Sequence, residues 1–214
     1  MEWTIWAGFA AGLVISTVTA PVGVSGAVFL LPVQLSVLGV PSPAVTPTNL
    51  LFNVVAGPGA LWRYRRDGAP RGSLARQLVA WTLPGVLAGA AIRVFALPGP
   101  VVFRLLVAAF LLPLGIWLCP RTLRPARRSG PQVGEPSAPA LAALALTVGV
   151  VGGIYGIGGG SLLGPVLAAR GIPMNRLAPA TLAATFTTSI AGAAAYAALA
   201  TVSPGPVAPD WWLV

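Results

Sequence analysis

Long apolar stretches alternate with short polar or basic segments along the whole chain. They predict membrane helices over residues 3–19, 43–62, 74–95, 101–118, 140–155 and 176–200. Each approaches the roughly 20 apolar residues that a helix needs to cross a bilayer. Two further apolar stretches, 27–38 and 162–169, are too short to cross. The pattern therefore predicts an all-α, polytopic membrane protein with two partial helices.

Each short stretch follows an interruption that is rich in glycine or proline. Residues 20–26 read Ala-Pro-Val-Gly-Val-Ser-Gly, and residues 156–161 read Gly-Ile-Gly-Gly-Gly-Ser. Each glycine costs roughly 1 kcal/mol relative to alanine inside a helix, so both segments predict a broken, re-entrant-like helix. Non-helical backbone at membrane depth persists only where protein or a water-filled cavity satisfies it. Both interruptions, here called the first break (20–26) and the second break (156–161), are therefore candidate substrate sites.

The two breaks have the spacing expected of an internal repeat. Placing Gly23 on Gly156 also aligns Gly26 with Gly159 and Pro32 with Pro165; after a one-residue gap, Gly39, Pro41, Pro47 and Leu50 meet Gly171, Pro173, Pro179 and Leu182. We expect residues 1–118 to form the first transmembrane repeat, 119–139 a linker rich in Arg, Pro and Gly, and 140–214 the second repeat. Paired broken segments of this kind are the best sequence indication of a transport site.

The second repeat is incomplete relative to the first. No counterpart of the helices at 74–95 and 101–118 follows residue 200, and Asp210-Trp211-Trp212 resembles the start of a further helix. We expect either a truncated chain or partner subunits that complete the bundle, and favour truncation. A homo-oligomer is left open.

Composition and charge narrow the class of protein. The chain of 214 residues is 56% hydrophobic and 8% charged, whereas soluble domains carry about 25% charged residues. Its net charge of +9 comes from arginines, most of which lie between apolar stretches, as a topology signal would place them and nucleic-acid binding would not. The basic segments 63–76 and 121–128 are expected in the cytoplasm of a multi-pass plasma-membrane protein. The side of the N-terminus depends on whether the short segments cross.

Catalytic and metal chemistry find little support in the residues present. The chain has no histidine and one cysteine, which excludes a His-ligated metal site and a Ser-His-Asp triad. The apolar stretches offer no acidic constellation either. We expect no enzyme activity, no metal and no cofactor.

At the second break the chain resembles the TauE/SafE family, the sulfite-exporter-like membrane proteins. The resemblance is carried by the second break with Pro165, by Gly171-Ile172-Pro173, and by a helix that opens with Ala180-Thr181. The first break departs from the second, since Ser25 and Ala27 stand where the second has Gly158 and Gly160. The resemblance implies two copies of a four-helix unit that move sulfur-containing anions such as sulfite or organosulfonates.

An anion inside a bilayer needs positive potential, and the N-terminus of a short helix supplies it without a costly full charge. The candidate substrate-binding residues are Gly23, Ser25, Gly26, Thr48, Asn49, Asn53, Gly156, Gly158, Gly159, Gly160, Ser161, Thr181 and Thr185. The alternative is that the glycines only let helices pack closely and that the hydroxyls bond to backbone. Arg93 and Arg104 are expected to extend to the membrane interface.

The function that these features predict is a secondary carrier of small anions within the lipid bilayer, with substrate held between the breaks by backbone N–H groups. An ion gradient or the membrane potential would drive it, because no nucleotide-binding loop is present. The alternative is a non-transporting or degenerate membrane subunit that needs partner helices.

Overall fold

The structure is a computed structural model that describes residues 2–19, 25–39, 42–66, 72–97, 101–103, 105–109, 112–113, 116, 136–168 and 170–202. Its helices, in chain order, are α1 (Glu2–Thr19), α2 (Ala27–Ser36), α3 (Ser42–Arg66), α4 (Ser73–Phe95), α5 (Ala138–Tyr155), α6 (Leu163–Ala168) and α7 (Met174–Ala200). Residues 101–103 and 105–109 are also helical. Gly23, most of the predicted linker and the segment 203–214 lie outside the described residues.

The predicted all-α membrane fold is confirmed. Among the described residues, 3 helices are long and apolar enough to cross a membrane, namely α4, α5 and α7. Most predicted boundaries differ from the observed ones by one or two residues. The larger difference is α3, which continues past the predicted end at residue 62 and carries Arg63, Arg65 and Arg66 in its last turn. Cations are favourable at a helix C-terminus, so these arginines extend the helix rather than begin the loop.

The closest helix pair is α4 with α5, which meet through glycine. A Cβ atom added to Gly85 would lie 2.9 Å from Cα of Gly149, and one added to Gly89 would lie 3.0 Å from Cα of Gly153. Real Cβ atoms hardly ever come so near to backbone, so a side chain at either position would force the helices apart. Small residues at such crossings let helices pack by van der Waals contact where lipid removes the hydrophobic driving force.

Helix α7 packs against α4 and α3, and its Tyr196 side chain reaches α5. The Tyr196 hydroxyl donates a 2.9 Å hydrogen bond to the carbonyl of Gly153 on α5. On α3, Gly57 faces the ring of Phe186, and a Cβ at Gly57 would lie 2.7 Å from Cδ2 of that ring. These contacts place the middle of α7 between α3 and the second break.

The order of helices around the two breaks is similar. A short helix stands between two long ones in each half, as α1, α2 and α3 and again as α5, α6 and α7. Pro47 is the sixth residue of α3 and Pro179 the sixth of α7, so the prolines that the sequence alignment pairs have the same place in their helices. The duplication of residues 1–118 and 140–214 remains a prediction, because part of each segment lies outside the described residues.

Arg93 departs from its expected position at the membrane interface. Its side chain is 2% exposed, and its Nη1 donates a hydrogen bond to the carbonyl of Leu97. The guanidinium lies 4.1 Å from the ring centroid of Phe103. A carbonyl at the end of α4 and an aromatic face together give this cation favourable partners inside the protein, which removes the need to reach water. The side chain of Arg104 is outside the described residues.

Candidate functional site

The second break interrupts the helix where the glycines predict it. Helix α5 ends at Tyr155, and Gly156 follows in the left-handed conformation with φ of +74°. Gly158 has φ of +75°, a value that side-chain-bearing residues rarely adopt. Helix begins again only at Leu163. The break is therefore a property of the backbone that its glycines make possible.

The glycines of the second break are packed directly against neighbouring helices. A Cβ at Gly158 would lie 2.7 Å from Cγ2 of Thr185 on α7, and one at Gly159 would lie 2.6 Å from Cβ of Thr82 on α4. At Gly160 the added atom would lie 2.7 Å from Oγ1 of Thr185 and closer still to the carbonyl oxygen of Thr181. Because these positions have no side chains, the backbone of the second break can pack closely against α4 and α7.

Most polar groups around the second break have partners within the protein. The amide of Gly159 donates to Oγ1 of Thr188 at 2.9 Å. The Ser161 hydroxyl donates to the carbonyl of Ile157 and lies 3.4 Å from Oγ1 of Thr185. The Thr181 hydroxyl donates to the carbonyl of Leu177, one turn earlier in its own helix, at 3.0 Å. The exception is the hydroxyl of Ser189, which is buried beside Gly158 and has no partner among the described residues.

At Ser25 and Gly26, the part of the first break that the structure describes, a side-chain amide is left without a partner. The Ser25 hydroxyl accepts from the amide of Ala27 at 3.2 Å and donates to Oδ1 of Asn53 on α3. Nδ2 of Asn53 is buried and has no acceptor among the described residues. A buried N–H without a partner costs about 1–3 kcal/mol, so this amide is a donor that a ligand would satisfy.

The backbone amides at the start of α2 already have acceptors. Phe29 and Leu30 both donate to the carbonyl of Gly26, at 3.0 Å and 2.9 Å. Val28 donates to the carbonyl of Ser25 at 3.4 Å. The amides of these residues are thus not available to an anion in this conformation, whereas Nδ2 of Asn53 is.

The other polar candidates on α3 face backbone. The Thr48 hydroxyl donates to the carbonyl of Ala44 in its own helix at 2.7 Å. Nδ2 of Asn49 donates to the carbonyl of Ala27 at 3.4 Å, while its Oδ1 has no donor among the described residues. An unpaired acceptor repels an anion, so Asn49 contributes to the join between α2 and α3 rather than to an anion site.

A cavity of about 40 Å³ connects the first break with α7. Four of the candidate residues line it: Ser25, Gly26, Asn53 and Thr185. We call this space the inner cavity. The described residues that line it include none from 156–161 and none that is charged. The second break contacts Thr185, which lines the inner cavity, through Gly158 and Gly160.

Sequence reasoning missed several residues of the inner cavity. Ser16 on α1 and the rings of Phe52 and Phe186 also line it. Ser16 is one of the polar residues near the end of an otherwise apolar helix, which is a signal in the sequence. The two phenylalanines gave no signal, because aromatic residues are common throughout membrane helices.

Comparison with known proteins identifies the family. The family model described as "Sulfite exporter TauE/SafE" matches residues 8–214, essentially the whole chain. No curated protein and no solved structure matches the chain. The family resemblance seen at the second break is therefore confirmed, and the match extends over nearly the whole chain.

Proposed function

The chain belongs to the sulfite exporter TauE/SafE family, and from this premise we propose that it carries small sulfur oxyanions across the plasma membrane through the inner cavity. The observation that supports the proposal most directly is the buried Nδ2 of Asn53, a donor without an acceptor among the described residues. It lines a cavity that also contains Ser25 and Thr185. An oxyanion accepts hydrogen bonds through every oxygen and would satisfy this donor.

An uncharged binding site suits a carrier in a membrane. A fixed cation at bilayer depth is costly and would hold an anion too firmly for release. Hydrogen bonds to an ionised partner contribute about 1.5–3 kcal/mol each, so a few donors give useful but reversible binding. Passage of such ions requires affinity that is high enough for entry and low enough for exit.

The size of the inner cavity favours the smaller members of the substrate class. At about 40 Å³ it has space for roughly three water molecules, by the measure of about 10–15 Å³ for each. Sulfite, with one sulfur and three oxygens, is of this size. An organosulfonate such as taurine would need the cavity to widen. We therefore place sulfite before taurine as substrate, with an ion gradient or the membrane potential as driving force.

The test is uptake of labelled sulfite, sulfate and taurine by proteoliposomes under an imposed membrane potential. We expect sulfite flux, and a KM roughly tenfold to a hundredfold higher in Asn53→Leu, which keeps the branched shape of the side chain and removes the donor. Gln34→Leu is the matched control, since Gln34 is a buried amide on α2 that is not among the described residues around the inner cavity.

Two results would overturn parts of the proposal. A wild-type protein that folds but carries none of these anions would favour a non-transporting subunit that needs partner helices. Sulfite flux that is equally sensitive to Asn53→Leu and Gln34→Leu would retain the transporter and remove the inner cavity as its site.

A further inference from the structure

A second and larger cavity opens beside the inner one. Its volume is about 560 Å³, and it lies between the end of α3, the start of α4 and the first half of α7. We call it the vestibule. Thr187, which lines it, is the middle residue of α7. The vestibule therefore extends from the basic ends of α3 and α4 to the middle of a helix long enough to span the membrane.

Two arginines give the vestibule its charge. Arg65 from the last turn of α3 and Arg76 from the first turn of α4 line it with exposed side chains, and none of the described residues around it is acidic. Cations in a concave, low-dielectric wall focus a positive potential and raise the local concentration of anions. The planar guanidinium also matches the oxygen pairs of sulfite, sulfate or phosphate.

One described residue is common to the vestibule and the inner cavity. Phe186 lines both of them. Its ring lies against Gly57, where even a methyl group would come within 2.7 Å of it. The neighbouring Thr185 lines the inner cavity, and Thr187 lines the vestibule. The two cavities therefore adjoin at Phe186, and Asn53 lines the inner one.

We propose that the vestibule is a second anion site, in which Arg65 and Arg76 collect a small oxyanion that then passes Phe186 into the inner cavity. The inference rests on the proposed function for the direction of passage. The charged site lies at the end of α3, and the uncharged site lies nearer to the middle of that helix. This division avoids a full charge at depth and still concentrates the substrate at the mouth of the path.

The charge of the vestibule can be measured without any transport. In a Cys119→Ser background, Thr187→Cys places a single thiol in the vestibule. Its modification rate is compared for the anionic sulfonatoethyl and the cationic trimethylammonioethyl methanethiosulfonate, in neutral phosphatidylcholine vesicles. We expect the ratio of the anionic to the cationic modification rate to be about tenfold higher at this thiol than at a free thiol in solution. The preference should disappear in Arg65→Gln/Arg76→Gln.

Arg66→Gln is the matched control. Arg66 is in the same helical turn as Arg65 and is exposed like it, but it lies 5.8 Å from the ring centroid of Trp62 and does not line the vestibule. It should leave the preference within twofold. If Arg66→Gln lowers the preference as much as the double variant does, the effect is general surface charge and the proposed site is overturned.

The same chemistry would also hold a lipid phosphate. Sulfate added to the neutral vesicles should slow the anionic reagent, which supports a site for free oxyanions. If sulfate has no effect, and phosphatidylglycerol alone removes the preference, the arginines hold lipid headgroups and the collecting role is overturned.

Sulfite flux into proteoliposomes tests whether the anion passes Phe186. Arg65→Gln/Arg76→Gln should raise the KM for sulfite several-fold with little change in kcat, whereas Phe186→Ala should change kcat. Unchanged kcat in Phe186→Ala would overturn passage at this residue. If the wild type carries no anion, the proposed function fails, but the thiol measurements still decide whether the vestibule binds oxyanions.

Discussion

The guanidinium of Arg93 lies 4.1 Å from the ring centroid of Phe103. This contact joins α4 to the helical residues 101–103, which follow it in the chain. The ring is fully buried, so the cation faces it without water between. Such contacts contribute about 2 kcal/mol or more when they are desolvated.

Loss of this cation should destabilise the protein strongly. Arg93→Ala removes the contact with Phe103 and the hydrogen bond to the Leu97 carbonyl, and it leaves a cavity. We expect a loss of about 3 kcal/mol or more, measured as a lower Tm in detergent. Arg66→Ala is the control, because the exposed contact of Arg66 with Trp62 should contribute no more than about 1 kcal/mol. Equal shifts in Tm would show that the burial of Arg93 contributes nothing.

The small size of glycine should be essential where α4 and α5 cross. In Gly89→Ala the new methyl group would lie 3.0 Å from Cα of Gly153 and still closer to the carbonyl oxygen of Val150. We expect a cost of about 1–3 kcal/mol, from overpacking. In Gly59→Ala the methyl group would have no neighbour within 4 Å, so the change should stabilise α3 by up to about 1 kcal/mol. Both effects are read from thermal unfolding, and a neutral Gly89→Ala would contradict the close crossing.

The sequence predicted helices and breaks well because both depend on local chemistry. Apolar length determined the spanning segments, and the glycines at 156–160 determined where α5 ends. The burial of Arg93 was not predictable, because it depends on Phe103 in a different helix. The hydrophobic periodicity of a sequence predicts the helix in which a residue lies, but not the residues of other helices that it contacts.

The polar residues of the site show the same limit. Thr48 and Thr181 bond to carbonyls four residues earlier in their own helices, whereas Thr188 also accepts from Gly159 in the second break. A threonine in a helix has both options, and the choice depends on which backbone passes beside it. Asn53 is available to a ligand because Ser25, 28 residues earlier, bonds only to its carbonyl oxygen.

The left-handed turn at Gly156 should be more sensitive than the one at Gly39. Both have positive φ, +74° and +65°, and an L-residue at either costs about 1–2 kcal/mol. A Cβ at Gly39 would meet nothing within 4 Å, whereas one at Gly156 would strike the backbone of Thr46. We therefore expect Gly156→Ala to lower Tm clearly more than Gly39→Ala does. Similar shifts would mean that α3 can move away from the break.

Serine substitutions distinguish the two breaks as binding elements. Ser25→Ala removes the donor that holds Oδ1 of Asn53, so the amide is free to turn and its Nδ2 is no longer held toward the inner cavity. Ser161→Ala removes a hydroxyl that already bonds to the carbonyl of Ile157, behind Thr185. We expect Ser25→Ala to raise the KM for sulfite about tenfold, and Ser161→Ala to lower Tm while KM stays within twofold. Ser36→Ala is the control, because this exposed hydroxyl bonds only to the Pro32 carbonyl of its own helix.

The opposite ranking of the two KM effects would place the ligand at the second break. A large rise in KM in Ser161→Ala with little change in Ser25→Ala would mean that the glycine-rich segment moves away from α7 and binds the anion itself. A bulky residue at Gly159 cannot answer this question, since its Cβ would lie 2.6 Å from Cβ of Thr82 and disturb packing whether or not ligand binds there. The serine pair removes one oxygen from each break without adding volume. A difference in KM between these two variants therefore reports which break binds the anion.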